Sequence, residues 1–415
     1  MALAAAPARA QVASNPMTAP VPPELLARAA SFDVGARLEA LVSLQALATP
    51  AAEQLTLVML QHDYEPRVRA AAATTLGASH DPSFLDPLAY AAAADLDGGV
   101  REAAAAAHAA LLPFSRRPKA AAGFSALCPG CGYFYLGQPQ RALAYLGGGV
   151  ALGLAAWVAI DRHTDAFGNT QEYDDRATPF LMAIQNLWLY GIFASYRDAR
   201  LARGDLDARY PVARDQLGEL LIAPFNPKVL KSPFVWAGLP ALLGGAFGLG
   251  YLASRVTGDG ATSMTRHLGD PPGGVQFFGK RYSTGTGFAL GETYNLGLFL
   301  PVGVGEESTF RGVIQAGLME TSLDEWGGWV VGSLIFGALH TFNFVGEENG
   351  LRTAALAVPY ITLTGSYLGY VYIRKHESLA TGVAIHFWYD FLLSTADFIA
   401  DPDHQPFVMR FGMPF

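Results

Sequence analysis

The sequence predicts an all-α, polytopic membrane protein of about seven spans preceded by a short α-helical repeat domain. Composition is the first ground: of 415 residues, 51% are hydrophobic and only 15% charged. The second is length, because several apolar stretches approach the roughly 20 residues a helix needs to cross a bilayer. A recurrence at a fixed step of 32 residues near the N-terminus is the third, and repeats of that length stack as helix pairs. A chain of this size also exceeds one ordinary core.

Residues 1–33 form an Ala/Pro-rich leader that the composition predicts to be disordered. Ala8-Arg9-Ala10 before Gln11 imitates the end of a signal peptide. The apolar stretch ahead of it is only about half the roughly 7–15 residues such a peptide needs. The repeats occupy 34–115: Arg37, Arg69 and Arg101 keep the 32-residue step, as do Pro50 and Pro82, Asp63 and Asp95, and Leu44 and Leu76. Each unit reads as an Ala/Leu-rich helix, a Pro turn and a second helix, whose apolar faces are buried only by stacking. The pattern resembles short HEAT-type repeats, which implies a protein partner. A plain Ala-rich bundle capping the membrane part accounts for it equally. Nothing in the repeats supplies a catalytic constellation.

A two-span membrane hairpin is expected over 120–200. Its opening, Cys128-Pro129-Gly130-Cys131, lacks the βαβ context of a redox motif and reads as a tight turn at the interface. Gly137-Gln138 completes a run similar to the start of small two-span hairpins. Two cysteines allow neither a disulfide framework nor a four-thiolate zinc site. Spans are predicted at 142–160, 179–197, 233–254, 285–304, 327–344, 353–374 and 379–399, with a linker at 201–232, a core at 233–400 and a tail at 401–415. The loop 161–176 is acid-rich and the loop 197–231 is rich in Arg and Lys, so the positive-inside rule places the repeats and the second loop in the cytoplasm. The expected location is the inner membrane of a bacterium, with the lipid bilayer as partner. A net charge of -8 without a basic patch excludes nucleic acid as a main one.

Three patterns in the last part of the chain carry chemistry: Glu306-Glu307 followed by Arg311, Phe336 followed by His340, and His386 followed by Asp390. Ionisable groups inside a bilayer cost about 2.5–3.5 kcal/mol each on insertion scales, so they need mutual pairing or a wet cavity. Glu307 and Arg311, four residues apart on a helix, share a face and can neutralise each other, which leaves Glu306 about 100° away and free to act. A carboxylate beside an imidazole in a partly dry cavity can take a proton from water, and Glu306 with His340 fits that role. His386 and Asp390, one turn apart, would polarise a substrate carbonyl, with Asp390 holding His386 in place.

In this order the patterns E-E-x-x-x-R, F-x-x-x-H and H-x-x-x-N/D resemble the CAAX-prenyl-endopeptidase and bacteriocin-processing family of intramembrane proteases, over roughly residues 233–400. The resemblance implies an endopeptidase with Glu306 and His340 activating water and His386 and Asp390 on the oxyanion side. Glu307, Arg311 and Phe336 would support the site, and a peptide or membrane protein would be the substrate. Asp390 stands where prenyl-protein members carry Asn. One Glu with two His is also a set that zinc or another divalent metal accepts, so Glu306, His340 and His386 are the expected ligands if a metal is held. His376-Glu377 begins like a zinc motif, but position 380 is Ala. Glu292, Asn295, Glu347, Glu348, Asn349 and Asp397 are expected outside the site. The alternatives are a non-catalytic scaffold or adaptor working through the repeats, and a transporter with a carboxylate relay. The latter predicts inverted repeats that the sequence lacks.

Overall fold

The computed structural model describes residues 20–400 except 165–169, 174–175, 205–208, 258–274, 278–279 and 346–349. The chain divides into two compact units, with the boundary between Arg117 and Pro118.

The first unit holds six α-helices: α1 (Pro23–Ala29), α2 (Val34–Leu47), α3 (Pro50–His62), α4 (Pro66–Gly77), α5 (Leu85–Ala94) and α6 (Gly98–Ser115). Local chemistry sets the starts. Asp33 accepts from Gly35 N, Thr49 from Ala52 N and Asp97 from Gly99 N, while Pro50 and Pro66 open α3 and α4, where a missing N–H costs nothing. Leu41, Leu44, Leu60, Val68, Leu76, Leu88, Val100 and Leu111 interlock in one core. The repeated arginines form a ladder. Arg37 pairs with Asp63 at 2.8 Å and donates to the Ser31 carbonyl at 2.7 Å. Arg69 grips both oxygens of Asp95 at 2.8 Å and donates to the Asp63 carbonyl at 2.9 Å. Arg101 repeats the backbone contact, to the Asp95 carbonyl at 2.8 Å, but the position one step beyond Asp95 is Leu127. Each rung thus ties one repeat to the next until the acid runs out. The bond from Arg69 holds the Asp95 carboxyl below the ordinary carboxylate range.

Part of the expected leader is ordered. Residues 23–29 are helical and bury Leu25 beside Val21 against the first repeat; residues 1–19 lie outside the described residues, as does the tail 401–415.

The second unit begins with α7 (Pro118–Leu127) and α8 (Cys131–Tyr135), joined by the expected turn. Gly130 adopts a φ of +80° there, and a Cβ would meet the Ala142 carbonyl oxygen at 2.8 Å, so only glycine fits. Cys128 and Cys131 are joined as a disulfide across this turn. Next come α9 (Pro139–Ala159), a hairpin of β1 (Asp161–Thr164) with β2 (Thr170–Tyr173), α10 (Thr178–Ala202), α11 (Leu217–Ile222), α12 (Pro227–Leu230) and α13 (Pro233–Thr257). A second hairpin pairs β3 (Val275–Phe277) with β4 (Lys280–Tyr282) ahead of α14 (Thr284–Thr309). The helix continues through a π-helical segment, Phe310–Gln315, into α15 (Ala316–Met319), followed by α16 (Asp324–Leu339), α17 (Gly350–Arg374) and α18 (Ala380–Ala400).

The described residues are helical almost throughout, as expected of an all-α protein, with two short antiparallel hairpins in the connections. Runs of three or four residues carry too little periodicity to be read from sequence. Helices occupy all seven stretches predicted as spans, but among the described residues only Pro139–Ala159 and Pro233–Gly250 are long and apolar enough to cross a membrane by length and composition. The others are too short, as the 16-residue α16 is, or are diluted by polar groups. Helix α14 carries Glu292, Asn295, Glu306 and Glu307; α10 carries Asn186, Arg197, Asp198 and Arg200; α18 carries His386 and Asp390.

Helix α14 packs between α10 and α18, and α16 lies on α17. Close approaches fix these positions. Tyr367 donates to the Phe234 carbonyl at 2.6 Å, with its ring seated where a Cβ on Gly238 would stand, and this locks α17 to α13. The Asp215 carboxylate accepts from Ser378 Oγ and Leu379 N, both at 3.0 Å, and so caps the entry to α18.

Candidate active site

Three helices bring the predicted residues together. Glu306 and Glu307 lie near the end of α14, His340 follows the last residue of α16, and His386 and Asp390 lie on one face of α18. Glu306 Oε2 stands 3.7 Å from His340 Nε2 and 3.8 Å from His386 Nε2, and it has no hydrogen-bond partner despite being buried. His386 Nδ1 is 2.8 Å from Glu307 Oε1, and its Nε2 is 3.3 Å from Asp390 Oδ2.

The adjacent glutamates have different surroundings, as their 100° separation on a helix requires. The Glu307 side chain is 1% exposed and that of Glu306 19%. Glu307 Oε1 takes a bond from Arg311 Nη1 at 3.1 Å as well as the one from His386. Arg311 donates a further bond to the Gly365 carbonyl at 2.8 Å, and its guanidinium lies 4.4 Å from the centre of the Phe336 ring. These contacts replace the water a buried cation loses. The Phe336 ring also packs against His340, tilted by 46° with centroids 4.4 Å apart, and the Phe336 carbonyl accepts from His340 Nδ1 at 2.7 Å. A carbonyl can only accept, so Nδ1 carries the proton of a neutral His340 and Nε2 presents a lone pair toward Glu306.

The π-helical segment follows Glu306 and Glu307 directly, and such widened turns recur at functional sites. Within it Gly312 lies against Phe193 of α10, whose Cδ2 is 2.5 Å from where a Cβ would stand. On the next turn Gln315 donates to the Gly369 carbonyl at 3.0 Å, one turn beyond Gly365 on α17. Arg311 and Gln315 thereby use two successive small residues of α17 as acceptors. Neither Gln315 nor Gly365 is among the residues expected from sequence; Gln315 could have been found from its place one helical turn after Arg311, whereas no local pattern marks Gly365.

One assignment changes. The orienting contact on His386 Nδ1 comes from Glu307, whereas Asp390 stands at Nε2 on the side facing Glu306. Sequence spacing showed that His386 and Asp390 share a face, but not which ring nitrogen Asp390 meets. Glu292 and Asn295 hold the neighbouring helix, through Thr395 at 3.0 Å and Ser394 at 3.1 Å. His376 and Glu377 sit in the turn before α18 with φ of 53° and 64°, away from a helical zinc motif. Glu347, Glu348 and Asn349 lie outside the described residues.

Among the described residues no group of three or more His, Cys, Asp or Glu is arranged to hold a metal ion. A tetrahedral zinc with bonds of about 2.0–2.1 Å needs donors roughly 3.3–3.4 Å apart. The 3.7 and 3.8 Å separations around Glu306 exceed that, and His386 Nε2 is already faced by Asp390. The donors as placed do not form a metal cage.

These helices define a class of site, a carboxylate and two imidazoles converging inside a helical bundle. Comparison with known families supplies the particular likeness. Residues 293–392 match the type II CAAX prenyl endopeptidase Rce1-like family, and residues 22–109 match HEAT repeats. The first match spans all three motifs. The second begins ahead of α1, in keeping with the burial of Leu25 in the repeat core. No curated protein and no solved structure matches the chain.

Proposed function

We propose that the protein is an intramembrane endopeptidase whose seven long helices cross the bilayer and whose water nucleophile is activated by Glu306 and His340. One observation carries the reading: Glu306 Oε2 is buried without a partner, 3.7–3.8 Å from two imidazole nitrogens. Such distances are too long for direct hydrogen bonds and short enough for one water to touch all three groups. The match of residues 293–392 to a prenyl endopeptidase family supports the same chemistry.

In this mechanism the water donates to Glu306 and to the His340 Nε2 lone pair as its oxygen attacks the scissile carbonyl. His386, held through Nδ1 by Glu307, directs Nε2–H at the oxygen that gains charge. Asp390 can join that side only as a neutral acid donating a proton, because a carboxylate would repel the oxyanion. The proton held at Glu306 then passes to the leaving amine. No covalent intermediate is needed. If a divalent ion binds, Glu306, His340 and His386 are the residues that would hold it.

The substrate is a peptide segment of a membrane-associated protein, with the repeats binding it or a partner that delivers it; the repeats face the cytoplasm of a bacterial inner membrane. Purified full-length protein, Glu306→Gln and His340→Ala should be compared on a membrane-peptide library in liposomes. Loss of about 10²–10⁴ in cleavage rate is expected for both variants, with unchanged melting for Glu306→Gln, whose Oε2 has no hydrogen bond to lose, and a lower melting temperature for His340→Ala, which loses the bond to the Phe336 carbonyl. Equal cleavage by all three proteins would return the cluster to a packing role and favour a scaffold acting through the repeats.

A further inference from the structure

A second polar cavity lies among α8, α9, α10 and the residue before α11. Its volume is about 270 Å³, and Tyr133, Arg141, Tyr145, Arg197, Asp198 and Gln216 line it. None of these belongs to the catalytic cluster, and none lies within the matched segment 293–392. We propose that this cavity binds a phosphate-bearing anion at the end of the α9–α10 pair.

The charge arrangement carries the proposal. Two guanidiniums face one carboxylate, so the lining is cationic by one charge. Asp198 is already saturated: Oδ1 accepts from Arg197 at 2.8 Å, and Oδ2 accepts from Tyr133 at 2.8 Å and from Arg141. Its oxygens therefore face the arginines and Tyr133 rather than an incoming anion. Arg197 is 4% exposed and fixed, donating to Tyr190 at 3.0 Å and to the Asp215 carbonyl at 2.5 Å. Arg141 is its opposite, 59% exposed and bound by one nitrogen only, so a residue that lines the cavity keeps several guanidinium N–H groups without a protein acceptor. A planar guanidinium with free N–H groups, beside the Tyr145 hydroxyl, is a donor set that phosphate oxygens take, often two at a time at the guanidinium. The volume falls just under the roughly 300 Å³ at which drug-sized pockets begin, which suits a phosphoryl group better than a larger molecule.

Position narrows the source to two. Arg141 lies in the first turn of α9, one of two helices among the described residues that are long and apolar enough to span a membrane, so the opening stands at the headgroup level of a bilayer crossed by that helix. A lipid headgroup and a free phosphate present the same chemistry there. Occupancy would also bear on α18, because the Asp215 whose carbonyl Arg197 holds caps that helix with its carboxylate.

The test uses the full chain in phosphatidylcholine nanodiscs and reads melting temperature. One arm titrates inorganic phosphate against chloride at constant ionic strength; the other replaces part of the lipid with phosphatidylglycerol. A rise in either arm is expected for the wild type. Arg141→Gln should melt like the wild type without the probe and respond with about tenfold weaker affinity, since it removes charge-assisted bonds. Tyr145→Phe, which removes one hydroxyl, should weaken the response about fivefold and decides the matter if Arg141→Gln does not fold. A rise with inorganic phosphate assigns a free anion, and a rise only with phosphatidylglycerol assigns a headgroup; both support the site. No rise in either arm, or equal rises in the wild type and the folded variants, overturns it.

Discussion

Replacing Glu307 by Gln tests the most connected group of the site. The change keeps shape and removes one charge. Glu307 and Arg311 are 1% and 3% exposed and 3.1 Å apart. Their Coulomb attraction at an effective dielectric of 20 is about 5 kcal/mol. Leaving a buried charge without its partner costs about 3–5 kcal/mol. The Gln carbonyl can still accept one neutral-strength bond, and Arg311 keeps the Gly365 carbonyl and the Phe336 face, so the low end, about 3 kcal/mol, is expected. Equilibrium unfolding in mixed micelles reads this directly. Adding Arg311→Met removes the orphaned cation, and the double variant should recover most of the loss, a coupling of about 2 kcal/mol or more. Cleavage should not recover, because His386 has still lost the carboxylate at Nδ1. A fall of about 10²–10⁴ is expected in both variants. Stability of Glu307→Gln within about 1 kcal/mol of wild type would show that the ion pair does not hold Arg311 as argued here.

Steric and titration predictions follow from other contacts. A Cβ on Gly365 would stand 2.5 Å from Phe336 Cδ1, so Gly365→Ala should cost about 1–3 kcal/mol and lower cleavage by shifting the ring that carries Arg311 and His340, both read on the same protein. In the repeats, the depressed Asp95 carboxyl adds stability that is present above the unfolded carboxylate value of about 3.9 and is lost as pH falls through the lower folded value. Asp95→Asn should flatten that acid limb in thermal unfolding of the full chain. Glu377, in the turn before α18, titrates in the opposite sense: burial, then the Glu325 charge, pushes its carboxyl up to about 7. Its contribution is fullest below the unfolded value of about 4.3 and is lost as pH rises through about 7, and Glu377→Gln should remove this neutral-range decline in melting temperature.

Sequence spacing reaches as far as one element at a time. The 32-residue step revealed the repeat helices because Arg37 and Arg69 must meet the same kind of partner in each copy, and Asp63 and Asp95 recur with them. The same step puts Leu127 where a third acid would stand, but it could not show that Arg101 keeps the backbone contact to the Asp95 carbonyl. In the core, helical periodicity placed Glu307 with Arg311 and His386 with Asp390, since each pair lies on a single helix. That His386 reaches Glu307 depends on the crossing of α14 and α18, a relation between segments some 80 residues apart that no local pattern encodes. The same holds for Gln315 and Gly369. Strand residues were missed for a different reason: three- and four-residue hairpins offer too few positions for a period of two to be seen.

The two neighbouring glutamates show how one helix serves opposed needs. A carboxylate that must take a proton from water cannot also be saturated with donors, because each donor stabilises its charge and weakens it as a base. A carboxylate that must hold an imidazole and a buried guanidinium needs those donors. Placing the two at consecutive positions turns them about 100° apart, one into the packed interior and one toward the cavity. The observed difference, Glu307 with two charged or ionisable partners and Glu306 Oε2 with none, follows from that rotation. Exchanging the two environments would need only a one-residue shift in helix register, and the π-helical segment that begins three residues after Glu307 is where such a shift is absorbed. Deleting Phe310 should therefore shift Arg311 by one position relative to Glu307 while leaving Glu306 and Glu307 in place. It should abolish cleavage and cost about the same 3–5 kcal/mol as orphaning the ion pair. A deletion variant that keeps wild-type stability would mean that the segment is not what sets the register of the site.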